Sequence, residues 1–280
     1  MNIDLKEFSK IKMIAMDLDG TLLTGVKEIT PRTREVLLRA SKAGYMILAA
    51  TGRPASGIPK VIAEFPGIRY AVTSNGARIV DLIENKVLSQ HLLSYESAAF
   101  LIDLLKDYDA LSEIYYDGLG FVEESQFRRL EHYFRKAAHI NYFRTTRLSV
   151  PNLMEKFEAE HRDLDKFQAV FVNESDRDEV IEILKDRPDV ECSSSLENNI
   201  EVNGGGVHKG MALIELGEIL GIKKDEILAF GDGTNDRLMI SEVGIGVAMG
   251  NADITVKEAA DYVTLSNEED GVAAFLEKFI

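Results

Sequence analysis

Short apolar runs alternate with amphipathic stretches through the first and last thirds of the chain. Residues 12–16, Lys-Met-Ile-Ala-Met, are an apolar run of strand length. Runs of that length ending in polar or turn residues predict strands buried on both faces. Residues 31–43 predict a helix: Thr30 suits the N-cap, Pro31 suits the first helical position, and Val36, Leu37 and Ala40 share a face. Gly44 is a fitting stop. A strand follows over 45–50, a second helix runs to about Glu64, and a strand covers 70–74. This βαβαβ order predicts a parallel sheet with helices on both faces. The last third repeats the pattern, with helices over 210–220, after Asn235, over 254–260 and over 271–279. These alternate with strands over 226–231, 244–249 and 262–264.

The middle of the chain has another texture. A helix is expected over 95–108, strands over 113–116 and 120–122, and a helix over 126–137. A strand over 167–173, a helix over 175–185 and strands over 190–194 and 199–202 follow. Strands that succeed one another directly point to antiparallel neighbours and a separate α+β layer. Tyr115, Tyr116, Phe167 and Phe171 are expected to pack within strands. Gly204-Gly205-Gly206 lacks the Gly-Lys-Ser/Thr ending of a P-loop and is expected to mark a crossing between units.

At 280 residues the chain can hold one large domain or two ordinary ones. With 45% hydrophobic and 28% charged residues it has a soluble globular composition, and no apolar stretch reaches the length of a membrane span. A single cysteine, Cys192, excludes an intrachain disulfide, and the first residues lack the basic-then-apolar shape of a signal peptide. These features predict a cytoplasmic protein. The net charge of −15 argues against nucleic-acid or acidic-membrane partners. It also means that an anionic substrate would have to be held locally, by a metal and a few placed cations such as Lys209 and Arg53. His91, His132, His139, His161 and His208 show no zinc-like spacing.

The chemistry concentrates at two strand ends. The first strand runs into Asp17-Leu18-Asp19-Gly20-Thr21, and the strand over 226–231 runs into Asp232-Gly233-Thr234-Asn235-Asp236. In open α/β sheets ligands bind outside the carboxyl ends of the strands. Four carboxylates gathered there would repel one another unless a hard cation such as Mg2+ joined them. Asp17 and Asp19, two apart in an extended segment, can point the same way. One could attack a phosphorus while the other manages the proton. Gly20 permits a sharp turn, and Thr21 offers a hydroxyl and an amide to a phosphate oxygen.

Asp17-Leu-Asp-Gly-Thr21 resembles the first motif of the haloacid dehalogenase-like superfamily, and Gly231-Asp-Gly-Thr-Asn-Asp236 its last acidic motif. Ala50-Thr51-Gly52-Arg53 resembles the second motif, and Lys209 the third. The texts Ser74-Asn75-Gly76-Ala77, 247–252 and 266–271 narrow the likeness to the Cof-type, sugar-phosphatase-like subfamily. The resemblance implies a Rossmann-like parallel-sheet core over 1–84 and 201–280, with an inserted α+β cap over 85–200 that sets substrate specificity. It implies Asp17 as nucleophile, Asp19 as general acid and base, and Mg2+ on Asp17, the backbone carbonyl of Asp19 and Asp232. Thr51, Lys209 and Asn235 would hold phosphate, and Asp236 would orient Lys209 or a metal-bound water. Arg53 and Asn75 are candidates for substrate contact. The expected reaction is hydrolysis of small phosphorylated metabolites, sugar phosphates foremost, by a monomer or homodimer. A phosphomutase using the same aspartyl-phosphate and a non-catalytic metabolite sensor are the alternatives.

Overall fold

The computed structural model describes residues 8–280; residues 1–7, which carry most of the segment read against a signal peptide, lie outside the described residues. In chain order the elements begin with β1 (Met13–Met16), α1 (Pro31–Lys42), β2 (Met46–Ala50), α2 (Lys60–Ala63), β3 (Ile68–Thr73), β4 (Arg78–Asp81) and β5 (Lys86–Gln90). The middle holds α3 (Tyr95–Leu104), β6 (Ala110–Tyr116), β7 (Leu119–Glu123), α4 (Glu124–Phe127), α5 (Leu130–Tyr133), α6 (Ala137–Thr146), β8 (Arg147–Val150) and α7 (Leu153–Glu160). It ends with β9 (Lys166–Phe171), α8 (Glu174–Leu184), β10 (Val190–Ser193) and β11 (Asn199–Gly204). The chain closes with α9 (Lys209–Leu220), β12 (Ile227–Gly231), α10 (Arg237–Glu242), β13 (Ile245–Ala248), α11 (Ile254–Ala259), β14 (Tyr262–Val263) and α12 (Gly271–Leu276).

These elements fall into two compact units. One holds the chain up to Gly52, Ile58–Ser89 and His208–Ile280; the other holds Arg53–Gly57 and Gln90–Val207. The first unit carries a sheet in the order β14-β13-β12-β1-β2-β3-β4-β5. From β14 to β3 every pairing is parallel. Every residue of β1 and β12 is buried, as strands covered by helices on both faces require. Helix α1 follows the expected logic: Thr30 Oγ1 accepts from Thr33 N, Pro31 begins the helix, and Val36, Leu37 and Ala40 are buried.

The expected strands pair in parallel, but the segment after β2 departs from expectation and the sheet gains an antiparallel strand. The helix expected to end near Glu64 is only a 3₁₀ turn at Ala55–Gly57 and the four residues of α2. Pro59 has no N–H to donate and biases Ile58 away from helical backbone, so no long helix can pass through it. The sheet is also not wholly parallel, because β4 pairs antiparallel with β3. The reversal is made by Ser74 and Asn75, both left-handed, and Gly76 at φ 108°. A sequence scan passes over Arg78–Asp81 because its two charged ends hide a short strand.

The second unit is a sheet in the order β10-β11-β9-β6-β7-β8, antiparallel except between β7 and β8. Ile114, Tyr116, Phe167, Ala169, Phe171, Ile200 and Val202 pack with Leu101 of α3, Phe157 of α7 and Val180 of α8. Tyr116, Phe167 and Phe171 thus serve strand packing as expected. Tyr115 lies on the opposite face by the period-two rule, and its hydroxyl donates to Glu113 Oε2 at 2.8 Å. The helix expected over 126–137 is broken into α4 and α5, and α6, β8 and α7 had no counterpart in the sequence reading. Among the described residues no helix is long and apolar enough to cross a membrane.

Candidate active site

Strand β1 lies between β12 and β2, where the chain order of the sheet reverses. Met16 is in register with Phe230 on one side and Ala49 on the other. Asp17, Gly231 and Ala50 therefore continue three neighbouring strands at their carboxyl ends, the position where open α/β sheets bind ligands. Asp17 N donates to Phe230 O at 3.0 Å, and Thr51 N donates to Val72 O at 2.9 Å.

Lys209 is the first residue of α9, capped by His208, whose Nδ1 accepts from Met211 N. His208 thus serves as the helix cap. Lys209 is fully buried. Its Nζ donates to Asp17 Oδ1 at 2.6 Å and to Asp236 Oδ1 at 2.7 Å. Asp236 Oδ2 accepts from the backbone N–H groups of Asp232 and Gly233. Asp236 thus ties the lysine to the loop after β12. Gly231 is required beside it, because a Cβ there would lie 2.5 Å from Asp236 Cβ.

The start of α9 also depends on Gly76. A Cβ at that position would sit 2.5 Å from the carbonyl oxygen of His208. Gly76→Ala is expected to cost about 1–3 kcal/mol in stability through combined left-handed strain and overlap, and to lower activity by shifting Lys209. Urea denaturation alongside an activity assay checks this; an unchanged midpoint would contradict it.

Asp232 accepts from Thr21 Oγ1 at 2.6 Å and meets Asn251 Nδ2 at 3.4 Å. Thr21 thus directs its hydroxyl to a carboxylate, where the sequence suggested a phosphate oxygen. Asn251 Nδ2 also donates to Gly20 O at 2.8 Å. Gly20 stands at φ 89°, and a Cβ there would fall 2.3 Å from Asp232 Oδ2. Asn235 Nδ2 donates to Asn75 Oδ1 at 3.1 Å, so these two expected site residues meet. Thr51 is buried at the end of β2. The carboxylate of Asp19 accepts from Lys27 Nζ at 2.6 Å. Arg53 belongs to the second unit, where its guanidinium lies 4.5 Å from the Tyr142 ring centroid and donates to Gly57 O. Lys27 and Asn251 escaped the sequence reading. Asn251 lies in the 247–252 text that carries the resemblance; Lys27 had no signal beyond its nearness to Asp19 in the chain.

The electrostatics show a shortage of positive charge. Burial raises the pKa of Asp17 well above the carboxylate range; Lys209 opposes the shift, while Asp236, Asp232 and Asp19 add to it. Burial and Asp236 push Asp232 up to about 7, with Asp19 adding and Thr21 and Lys209 opposing. Burial acts to lower the pKa of Lys209, but Asp17 and Asp236 hold it above the ordinary lysine value. Asp17, Asp232 and Asp236 each offer an oxygen within 4.8 Å of the others. One lysine cannot compensate three close carboxylates, and an oxygen-only donor set suits a hard divalent cation. The residues present therefore fit such an ion. Asp17 and Asp232 are its candidate side-chain ligands, since Asp236 is bound on one oxygen by the buried Lys209 ammonium and on the other by two backbone amides, whereas Asp17 Oδ2 is left for a cation and, among the described residues, the Asp232 oxygens meet only neutral side-chain donors.

The sequence and the fold have known counterparts. The sequence profile of the haloacid dehalogenase-like hydrolases matches residues 14–276. A 5-amino-6-(5-phospho-D-ribitylamino)uracil phosphatase of Bacillus subtilis, YcsE, is 31% identical over 277 residues, covering 98% of each chain. The pyridoxal phosphate phosphatase YbhA of Escherichia coli is 30% identical over 285 residues, covering 95% of this chain and 97% of its own. Among solved structures, a haloacid dehalogenase-like hydrolase from B. subtilis superposes with a TM-score of 0.86 at 27% identity, covering 96% of this chain and all of the other. A subclass IIB sugar phosphatase superposes with a TM-score of 0.81 at 28% identity, covering 96% and 98%. With the profile spanning nearly its whole length, the chain belongs to the haloacid dehalogenase-like hydrolases, in their Cof-type phosphatase branch.

Proposed function

We propose that the protein is a Mg2+-dependent phosphomonoester hydrolase of small phosphorylated metabolites, with sugar and sugar-alcohol phosphates as the leading class. The observation that carries this is the buried Asp17 carboxylate at the end of β1, held by Lys209 and flanked by Asp232. Support for the substrate class comes from two of the relatives, the 5-amino-6-(5-phospho-D-ribitylamino)uracil phosphatase and the sugar phosphatase, and the pyridoxal phosphate phosphatase adds cofactor phosphates to the panel to be tested. Specificity is assigned to the inserted unit, whose helices and strands lie between β5 and α9 in the chain.

Asp17 attacks phosphorus, and the ester P–O bond breaks as an aspartyl-phosphate forms. Asp19 gives its proton to the departing alkoxide. In the second half, Asp19 takes a proton from water, the water oxygen bonds to phosphorus, and the P–O bond to Asp17 breaks to release phosphate. Lys209 fixes the rotation of the Asp17 carboxylate and, with Thr51 and Asn235, is assigned to the phosphoryl oxygens. Mg2+, held by Asp17, Asp232 and the Asp19 backbone carbonyl, would neutralise charge between carboxylate and phosphate.

The test is phosphate release from a panel of phosphomonoesters, with Mg2+ and with chelator. Release should require the metal, and saturating Mg2+ should stabilise the fold by about 2.7 kcal/mol at a hundred times its dissociation constant. Phosphate release that is unchanged after chelation would overturn the metal assignment. Isomerised sugar phosphate in place of free phosphate would point to a mutase instead.

A further inference from the structure

Directly after the first acidic motif the chain makes a tight hairpin. Leu23 N donates to Leu18 O at 2.8 Å, Thr24 N to Glu28 O at 3.0 Å and Lys27 N to Thr24 O at 2.8 Å. This is the pattern of a three-residue loop, Gly25-Val26-Lys27, whose last position takes left-handed backbone and is ordinarily glycine. Here it is Lys27, at φ 65°. The hairpin is tied down on its far side: Gly25 N donates to Glu268 Oε1 at 2.6 Å and Asn267 Nδ2 to Leu23 O at 2.9 Å. Asn267 N in turn donates to Asn251 Oδ1, and Asn251 Nδ2 to the carbonyl of Gly20. The loop is thus built so that Lys27 reaches back eight residues and places its ammonium 2.6 Å from Asp19 Oδ1.

We propose that Lys27 is a positioning residue for Asp19, holding the rotation of its carboxyl group so that the proton passes to the leaving oxygen. The proposal rests on the assignment of Asp19 as general acid. A left-handed lysine is disfavoured where glycine would sit without strain, so the position is set by what its side chain does. The two side chains are 47% and 38% exposed, which screens their charge interaction. The role is therefore orientation of the carboxyl group.

The experiment compares kcat/KM for an alkyl phosphate, whose alkoxide leaves only with a proton, and p-nitrophenyl phosphate, whose phenolate leaves without one. Both values report on events up to phosphoryl transfer to Asp17. Lys27→Gly is expected to shift the ratio of the two against the alkyl ester by about tenfold or more, a fraction of what general acid catalysis supplies. Its melting temperature should hold or rise, because glycine relieves the left-handed strain. Lys27→Arg should restore most of the ratio. An equal fall on both substrates, no fall, or a gain on the alkyl ester would overturn the proposal. Asp19→Asn is the reference. If it shifts the ratio and Lys27→Gly does not, only the positioning role fails; if it does not shift the ratio, the general-acid assignment fails with it.

Discussion

Asp17→Asn is expected to lower turnover by about 10⁴-fold or more while the protein stays folded and, with metal chelated, becomes more stable at neutral pH. The loss follows from the proposed chemistry, since an amide cannot form the aspartyl-phosphate that would divide the reaction into two steps. The gain follows from burial. A carboxyl group whose folded pKa lies above its unfolded value contributes stability below the unfolded value and loses it as pH rises through the folded one. Asp17 is raised chiefly by burial, and Asp232 is pushed up to about 7. The metal-free wild type should therefore weaken as pH climbs from about 4 to about 7, and Asp17→Asn should weaken less. Thermal melts in chelator across that range, read beside phosphate release, test both halves. Residual activity above about one part in a hundred would exclude Asp17 as nucleophile. A variant that melts below wild type at pH 7 would show that the carboxylate is not strained by its surroundings.

Much of the core was legible because its strands are buried on both faces. Ile14 to Met16 and Ile227 to Phe230 read as unbroken apolar runs, and each ends at its acidic motif. The caps were legible as well: Thr30, Pro31 and Gly44 mark α1 by local backbone chemistry that tertiary packing does not override. What the sequence hid depends on contacts distant in the chain. Strand β4 exists because Ser74 and Asn75 adopt left-handed backbone to reverse the chain, and no propensity announces two such residues in a row. In the second unit, β8 begins with Arg147, whose Nε lies 2.5 Å from the fully buried Glu113 Oε2. A charged residue at such a point reads as a loop until its partner 34 positions away is known. At the site the residue types and the tie of Asp236 to Lys209 were readable, but the remaining hydrogen-bond partners were not. Asp236 proved to serve Lys209 and two backbone amides, Thr21 to serve Asp232, and Asn75 to meet Asn235. The acidic motifs name the groups; the bond of Lys209 to Asp236 and that of Thr21 to Asp232, across 27 and 211 residues of chain, bring them together.

Lys209→Met should be the most destabilising single change at the site, costing about 3–5 kcal/mol in the absence of metal. The ammonium is wholly buried and bonded to two carboxylates, so its removal leaves Asp17 and Asp236 close together with no cation between them. Methionine preserves the length and apolar stem of the side chain, which confines the loss to charge and hydrogen bonding. A Lys209→Met, Asp236→Asn double variant removes one of the orphaned charges and should recover part of the loss, because residues sharing one network do not add independently. Asparagine keeps an oxygen for the Asp232 and Gly233 amides, so the loop after β12 is left with its acceptor. Saturating Mg2+ should rescue Lys209→Met more than wild type, since a divalent ion at Asp17 and Asp232 supplies the charge that the variant lacks. Urea denaturation of wild type, Lys209→Met, Asp236→Asn and the double variant, with and without metal, measures every part of this. A loss below about 1 kcal/mol would place the Lys209 pairs in the class of solvated surface bridges. Additive single and double variants would show that Lys209 and Asp236 are not coupled, and the network that ties the lysine to the loop after β12 would then carry no interaction energy.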